Sequence, residues 1–243
     1  MPLFEREDFR RVAGETLRPG GLDLTRRALD LCLEHGLPPA DALALDLGCG
    51  PGATARLLAS RGVRVLALDA SPAMLGAAAQ AAGPGVLPLL GRAEALPLPP
   101  ACLDAVFCEC VLSATGNARA VLAEAARTLK PGGLLAVSDL YLRGPSGSTA
   151  GAAQAKSGDC LSGALPEAAL RGALDAAGFA ELLFEDHSRL LAELAGRLIF
   201  AGVSPCGLGS ARATGQGARA PGENARPGYF LCLAARRCQG RAG

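Results

Sequence analysis

The chain has 243 residues, half of them hydrophobic, with 24 basic against 23 acidic side chains, enough for one compact domain with a full-sized core. A formal charge of +1 argues against the cation excess that a phosphate lattice or an anionic membrane surface demands. No apolar run reaches the roughly 18–20 residues of a membrane span. The opening MPLFEREDFRR mixes acids with bases and has no apolar segment, so no secretory leader is expected and the location reads as cytoplasmic. Nine cysteines, an odd count with no CxxC pair, read there as reduced thiols rather than a disulfide framework or a structural zinc site.

Helical stripes alternate with short apolar runs, the pattern of a parallel sheet covered by helices. A helix is predicted over 22–37, with Leu24, Ala28, Leu31 and Cys32 on one face. A strand over 42–47 runs into the turn GCGPG, followed by a helix over 53–60. The second strand, 63–68, ends in Asp69. Ser71-Pro72 then supplies a cap and a proline at the first helical position. A strand over 86–90 contains Pro88, which removes a ladder donor and favours an edge. The run 104–111 is apolar and β-branched, as a central strand is. Asn117 caps the next helix, whose stripe is Val121, Leu122, Ala125 and Leu129, and Lys130-Pro131-Gly132-Gly133 stops it. After a strand over 134–140 come a Gly/Ser-rich loop (144–158), a helix with Pro166 and Glu167 in its first turn, a strand over 179–186 and a helix over 188–200. The stretch 202–228 is too rich in Gly, Pro, Ala and Arg to bury a core and is expected to be mobile; a strand pattern returns at 229–234.

The glycine turn carries the first chemical signal. Glycines at 48, 50 and 52 let the backbone bend sharply and leave no Cβ between peptide and ligand. The dinucleotide spacing GxGxxG is not met, because Ala53 takes its third slot, and no lysine follows as in a P-loop. Asp69 can accept both hydroxyls of an adenosine ribose. Asp46 would repel a pyrophosphate, yet it suits the cationic amine of a methionine moiety. NAD is thereby disfavoured.

The segments LDLGCGPG, ALDASPAML, GRAEALPLP, LDAVFCECVLS and LKPGGLLAVSD, spread over 43–139, resemble in order and spacing the motifs of class I S-adenosylmethionine (SAM)-dependent methyltransferases. The resemblance implies an α/β, Rossmann-like fold: a seven-stranded, mostly parallel sheet of order 3-2-1-4-5-7-6 with the last strand reversed and helices on both faces. It implies one domain over 1–243, divided into a helical cap (1–40), a SAM-binding core (41–140) and a substrate-side part (141–243). Carried over by position, Asp46, Gly48, Cys49, Gly50 and Gly52 would hold the methionine part, Asp69 the ribose, and Met74 would lie near the adenosine. Where the family usually places an acid to receive the adenine amino group, this chain has Arg92. Arginine has no acceptor, so that contact falls to the backbone at Ala93 or elsewhere.

Open α/β sheets bind ligands beyond the carboxyl ends of their strands. The tip Cys108-Glu109-Cys110 is therefore expected to face the sulfonium, with Cys108 and Cys110 in phase on one face. FCECVLSA, followed further on by SGDCLSGALPEAALRGALDAAGF, resembles the arsenite-methyltransferase branch, which implies Cys110 and Cys160 as the catalytic ligands of trivalent arsenic. Soft thiolates select such a centre, and a lone-pair nucleophile needs positioning rather than a general base. Three readings stay open: methylation of a thiophile held by that pair, methylation of an oxygen, nitrogen or carbon of a small metabolite, and SAM or metalloid binding without turnover. Each implies a small-molecule ligand and no nucleic-acid or membrane partner. Glu185-Asp186-His187 offers a base but reads better as an exposed strand end. LRPGGLDLT and EDHSRLLAELAGRLIF are similar to a bacterial methyltransferase group.

Overall fold

In a computed structural model of the chain, residues 6–38, 40–144, 161–203 and 226–238 are described. Helices α1 (Glu7–Ala13) and α2 (Gly21–Glu34) precede the sheet. Its first half is β1 (Leu43–Leu47), α3 (Ala53–Ser60), β2 (Arg64–Asp69), α4 (Pro72–Ala81) and β3 (Val86–Leu90). The second half is β4 (Leu103–Glu109), α5 (Leu112–Thr115), α6 (Ala118–Thr128), β5 (Leu129–Arg143), β6 (Leu165–Pro166), α7 (Glu167–Ala176), β7 (Phe179–Asp186), α8 (Ser188–Phe200) and β8 (Arg226–Arg236). The strand order is β3-β2-β1-β4-β5-β8-β7. Strands are parallel from β3 through β5, and β8 runs antiparallel to both β5 and β7. This is the Rossmann-like order implied by the motifs, with one addition: two-residue β6 pairs with Tyr141 and Leu142 of β5, off the main path.

Alternation along the central strands divides the core in two, because successive side chains leave a strand on opposite faces. Ala44, Val65, Ala105, Phe107 and Ala136 pack with α2 and α3 on one face. Leu45, Leu47, Val106, Leu135 and Val137 pack with α6 and α7 on the other. A third cluster, Phe9, Ala13, Leu194, Leu198 and Val203, fastens α1 to α8; seven residues with four charges gave α1 no stripe to read. Caps act locally, Ser71 Oγ accepting from the Met74 N–H and Asn117 Oδ1 from the Ala120 N–H, each at 3.3 Å. Among the described residues no helix is long and apolar enough to cross a membrane.

Several boundaries differ from the sequence pattern. Strand β4 stops at Glu109, and α5 begins three residues later. Strand β5 starts at Leu129 rather than 134, absorbing the Lys-Pro-Gly-Gly turn through a register shift against β4. Residues 226–228, expected in a mobile stretch, pair with Tyr141, Leu142 and Arg143 in β8. The remainder of that stretch, 204–225, and positions 145–158 of the Gly/Ser-rich loop lie outside the described residues.

The reversed strand is locked by aromatic packing. Phe230 stacks on Phe184 with centroids 5.2 Å apart, and Tyr141 meets both edge-on at 5.7 Å. Phe230→Ala is expected to cost about 3–5 kcal/mol, the range for emptying a buried aromatic site, read as a lowered urea midpoint.

Candidate active site

The strand order reverses between β1 and β4, and at this switch point an open sheet leaves a crevice. A cavity of about 290 Å³ lies there, lined by Asp46, Gly48, Cys49, Gly50, Asp69, Met74, Ala93, Glu109 and Cys110 and by the segment 15–19. The glycine turn is tied to β2, the Gly48 and Cys49 N–H groups donating to the Leu68 carbonyl at 2.8 and 2.9 Å. Gly48 and Gly50 take φ of +70° and +51°, the left-handed region that glycine enters freely. A Cβ on Gly48 would stand 2.5 Å from Val111 Cγ2. Gly52, expected from the resemblance at the methionine part, packs against α4. It is not among the residues lining the cavity; a Cβ there would stand 3.1 Å from Ala78 Cβ, so glycine permits the close approach of α3 to α4. Asp69, half-buried, is held at both oxygens: Oδ2 accepts from the Gly50 N–H at 2.9 Å and Oδ1 from the Ser71 N–H at 2.8 Å. One lone pair on each oxygen is left for an external donor.

Behind this turn sits a buried polar network. Arg18 Nη2 lies 2.7 Å from Glu109 Oε2, with both side chains less than a tenth exposed. The same nitrogen donates to Thr25 Oγ1 at 2.5 Å and Thr54 Oγ1 at 2.8 Å. Those hydroxyls in turn donate to Glu109 at 3.0 and 2.6 Å. Asp46, 2% exposed, stands beside this network without joining it. Among the described residues, the buried side-chain nitrogen or oxygen atoms lacking any partner are Arg18 Nε and Asp46 Oδ2. Burial pushes the Asp46 carboxyl up to about 8, Glu109 adding to the effect and Arg18 opposing it. Burial also works against the Arg18 charge, which Glu109, together with Tyr229, Cys110 and Asp46, more than restores.

Buried polar groups in native proteins are almost always satisfied. One orphaned acceptor and one orphaned donor, both on residues lining one cavity, call for a ligand carrying both a cation and an anion. An α-amino acid group has that pairing, and the methionine part of SAM carries it. The residues therefore fit that cofactor, with Asp69 placed for ribose hydroxyls. Arg18 lies outside the 43–139 motifs and was not identified from them; the available signal was an arginine entering a Pro-Gly-Gly turn ahead of α2.

The cysteines divide differently from expectation. Cys108 is 1% exposed and belongs to the opposite face, with Leu45 and Val106. It does not line the cavity, and burial pushes its thiol well above the usual range. The alternation fails because β4 ends at Glu109 and Cys110 turns left-handed, at φ +58°. Glu109 and Cys110 are thus the tip residues that reach the cavity. The Cys110 N–H donates to the Ser138 carbonyl at 2.7 Å, and its Sγ lies 3.2 Å from the Tyr229 hydroxyl. Cys49 lines the cavity with its thiol raised by burial. Cys160 lies outside the described residues. Its neighbour Leu161 packs on the same core cluster as Cys110, and Gly163 approaches Ser113 so closely that a Cβ would collide with its carbonyl. Arg92 pairs with Glu94 at 3.2 Å, and both line the cavity, so an acid stands directly after Ala93 rather than before it. Glu185 bridges Arg27 and His187 at 2.8 and 2.9 Å, away from the cavity lining.

Residues 45–137 match the methyltransferase domain family. A malonyl-[acyl-carrier protein] O-methyltransferase of Serratia marcescens is 38% identical over 134 residues, covering 54% of this chain and 51% of the relative. A trans-aconitate 2-methyltransferase of Azoarcus sp. is 34% identical over 139 residues, 56% of this chain and 51% of that one. The chain thus spans about half the length of these curated relatives. Among solved structures, phosphoethanolamine N-methyltransferase 2 of Haemonchus contortus, in complex with SAM, aligns with a TM-score of 0.70 at 16% identity, covering 95% of this chain and 56% of that one. An arsenic(III) SAM methyltransferase of Chlamydomonas reinhardtii aligns at 0.56 and 22% identity, over 91% and 74%. The fold is the Rossmann-like α/β fold that these solved structures share, and the segment 45–137 is the part that matches the methyltransferase domain family.

Breaking the buried ion pair tests the network. Glu109→Ala leaves Arg18 buried and uncompensated, and is expected to cost about 3–5 kcal/mol in chemical denaturation. The Asp46 carboxyl rises from 3.8 to about 8 on folding. Between those values the folded protein holds a proton that the unfolded chain has lost, so this group's contribution to ligand-free stability falls as pH rises. Asp46→Asn is expected to flatten that fall between pH 5 and 8, measured by denaturation at each pH.

Proposed function

We propose that the chain is a SAM-dependent methyltransferase acting on a small molecule, and that its acceptor is a thiophilic centre, foremost a trivalent arsenical, held by Cys110 and Cys160. The observation that carries the cofactor assignment is the pair of orphaned atoms, Asp46 Oδ2 and Arg18 Nε, in one cavity. Asp46 accepts from the α-ammonium and Arg18 donates to the α-carboxylate. Gly48 and Gly50 bring bare backbone against the methionine part, and Asp69 receives the ribose. When bound, the cofactor supplies a methyl group on positively charged sulfur, which leaves as a neutral thioether.

For the acceptor, Cys110 reaches the cavity from the end of β4, and Gly163, shortly after Cys160, lies against Ser113, shortly after Cys110. Two thiolates from separate elements hold a soft centre and direct its lone pair without a base, so positioning carries the catalysis. A second reading, methylation of an oxygen on an anionic metabolite, is favoured by Arg92, whose side chain is 73% exposed at the cavity.

Calorimetric titration with SAM is expected to show binding that Asp46→Asn weakens at least about tenfold, since a hydrogen bond to a charged group contributes about 1.5–3 kcal/mol. With labelled SAM, arsenite and free thiol, methylated arsenic is expected from the wild type. Cys110→Ser and Cys160→Ser should each abolish that product while retaining SAM affinity. Turnover surviving both substitutions overturns the acceptor assignment; transfer to an organic acid instead establishes the second reading.

A further inference from the structure

Tyr229, on β8, is fully buried, and its hydroxyl stands between two partners on neighbouring elements. Cys110 Sγ is 3.2 Å away and Ser138 Oγ, on β5, is 3.3 Å away. Ser138 is itself 1% exposed, and its carbonyl receives the Cys110 N–H at 2.7 Å. The left-handed residue is therefore gripped at both backbone and sulfur. Hydroxyls rotate and act as donor or acceptor, so this row serves either protonation state without moving a heavy atom. With a thiol, S–H donates to the tyrosine oxygen, which donates onward to Ser138. With a thiolate, Tyr229 donates to sulfur and Ser138 donates to Tyr229. Bonds to an ionised partner are about twice as strong as neutral ones, so the row favours the thiolate.

We propose that Tyr229 is a positioning residue of the acceptor site, holding Cys110 Sγ toward the cavity and stabilising its thiolate, with Ser138 as the supporting donor. The proposal rests on the reading of Cys110, which lines the cavity, as an acceptor ligand. Coordination of arsenite replaces an As–OH bond by As–S, and the thiol proton leaves with hydroxide as water; no oxidant or reductant takes part. Among the described residues, the charged groups that meet Arg18 at this corner are Glu109 on β4 and Asp46 on β1, with Arg18 itself from the segment before α2. Arg18, whose charge acts on both Cys110 and Tyr229, favours the thiolate too. Burial pushes the ionisation of Tyr229 well above its ordinary value, so Tyr229 remains a donor throughout the neutral range.

The test is the pH profile of Cys110 alkylation by iodoacetamide, read on its peptide by mass spectrometry, in the full chain without SAM. Tyr229→Phe is expected to move the midpoint up by about one pH unit, a tenfold loss of thiolate at fixed pH, and to weaken arsenite binding about tenfold while SAM affinity holds. Ser138→Ala should shift the midpoint the same way by less. An unchanged midpoint in folded Tyr229→Phe overturns the proposal; if that variant does not fold, an unchanged midpoint in Ser138→Ala does so. A wild type that binds no arsenite, yet ionises Cys110 in a Tyr229-dependent way, sinks the acceptor assignment and upholds the role of Tyr229.

Discussion

A buried carboxyl oxygen without a partner organises this crevice. The fold takes Asp46 out of water at the switch point of the sheet and leaves its Oδ2 with no hydrogen bond. An unsatisfied buried group costs about 1–3 kcal/mol, more when charged. Such a cost persists where a ligand later supplies the missing contact, which is why rule-breaking polar groups gather at functional sites. The neighbouring Glu109 shows the contrast. Its two oxygens are taken by Arg18, Thr25 and Thr54, so it has little left to offer a ligand.

That network also makes the amino-terminal segment part of the site. Arg18 comes from the turn between α1 and α2, Thr25 from α2, Thr54 from α3 and Glu109 from β4. They meet in a single hydrogen-bonded set, so removing one partner strands the others in a low-dielectric interior. The helices before β1 are thereby keyed to the sheet through polar contacts as well as through Leu24, Ala28 and Cys32 in the core. The segment 15–19 lines the cavity, and its arginine is anchored to Thr25 and Thr54.

Much of the sheet was legible because burial on both faces leaves an unambiguous apolar run, as in 43–47, and because Pro88 marks an edge. The glycine turn and the acids at the carboxyl ends of β1 and β2 could be read for the same reason: each sits where a strand's end is clear. What escaped depends on single backbone angles and distant contacts. Cys108 and Cys110 look equivalent at a spacing of two, but the left-handed turn at Cys110 puts them on different faces. Gly52 looks like a ligand-facing glycine, yet Ala78 from the next helix occupies the space where its Cβ would be. Arg18 could not be assigned because its partner Glu109 lies 91 residues further along the chain. Tyr229 reads only as one apolar position of a strand until β8 is seated beside β5.

The most direct test of the orphaned carboxylate is the proton balance of SAM binding at pH 7, measured by calorimetry in buffers of different ionisation enthalpy. Asp46 is largely protonated at that pH in the free protein and must give up its proton to meet an ammonium group. Close to one proton released per SAM bound is expected from the wild type, and none from Asp46→Asn. Binding without proton release in the wild type, or equal release from both proteins, would contradict the assignment of Asp46 as the cofactor's cation receptor.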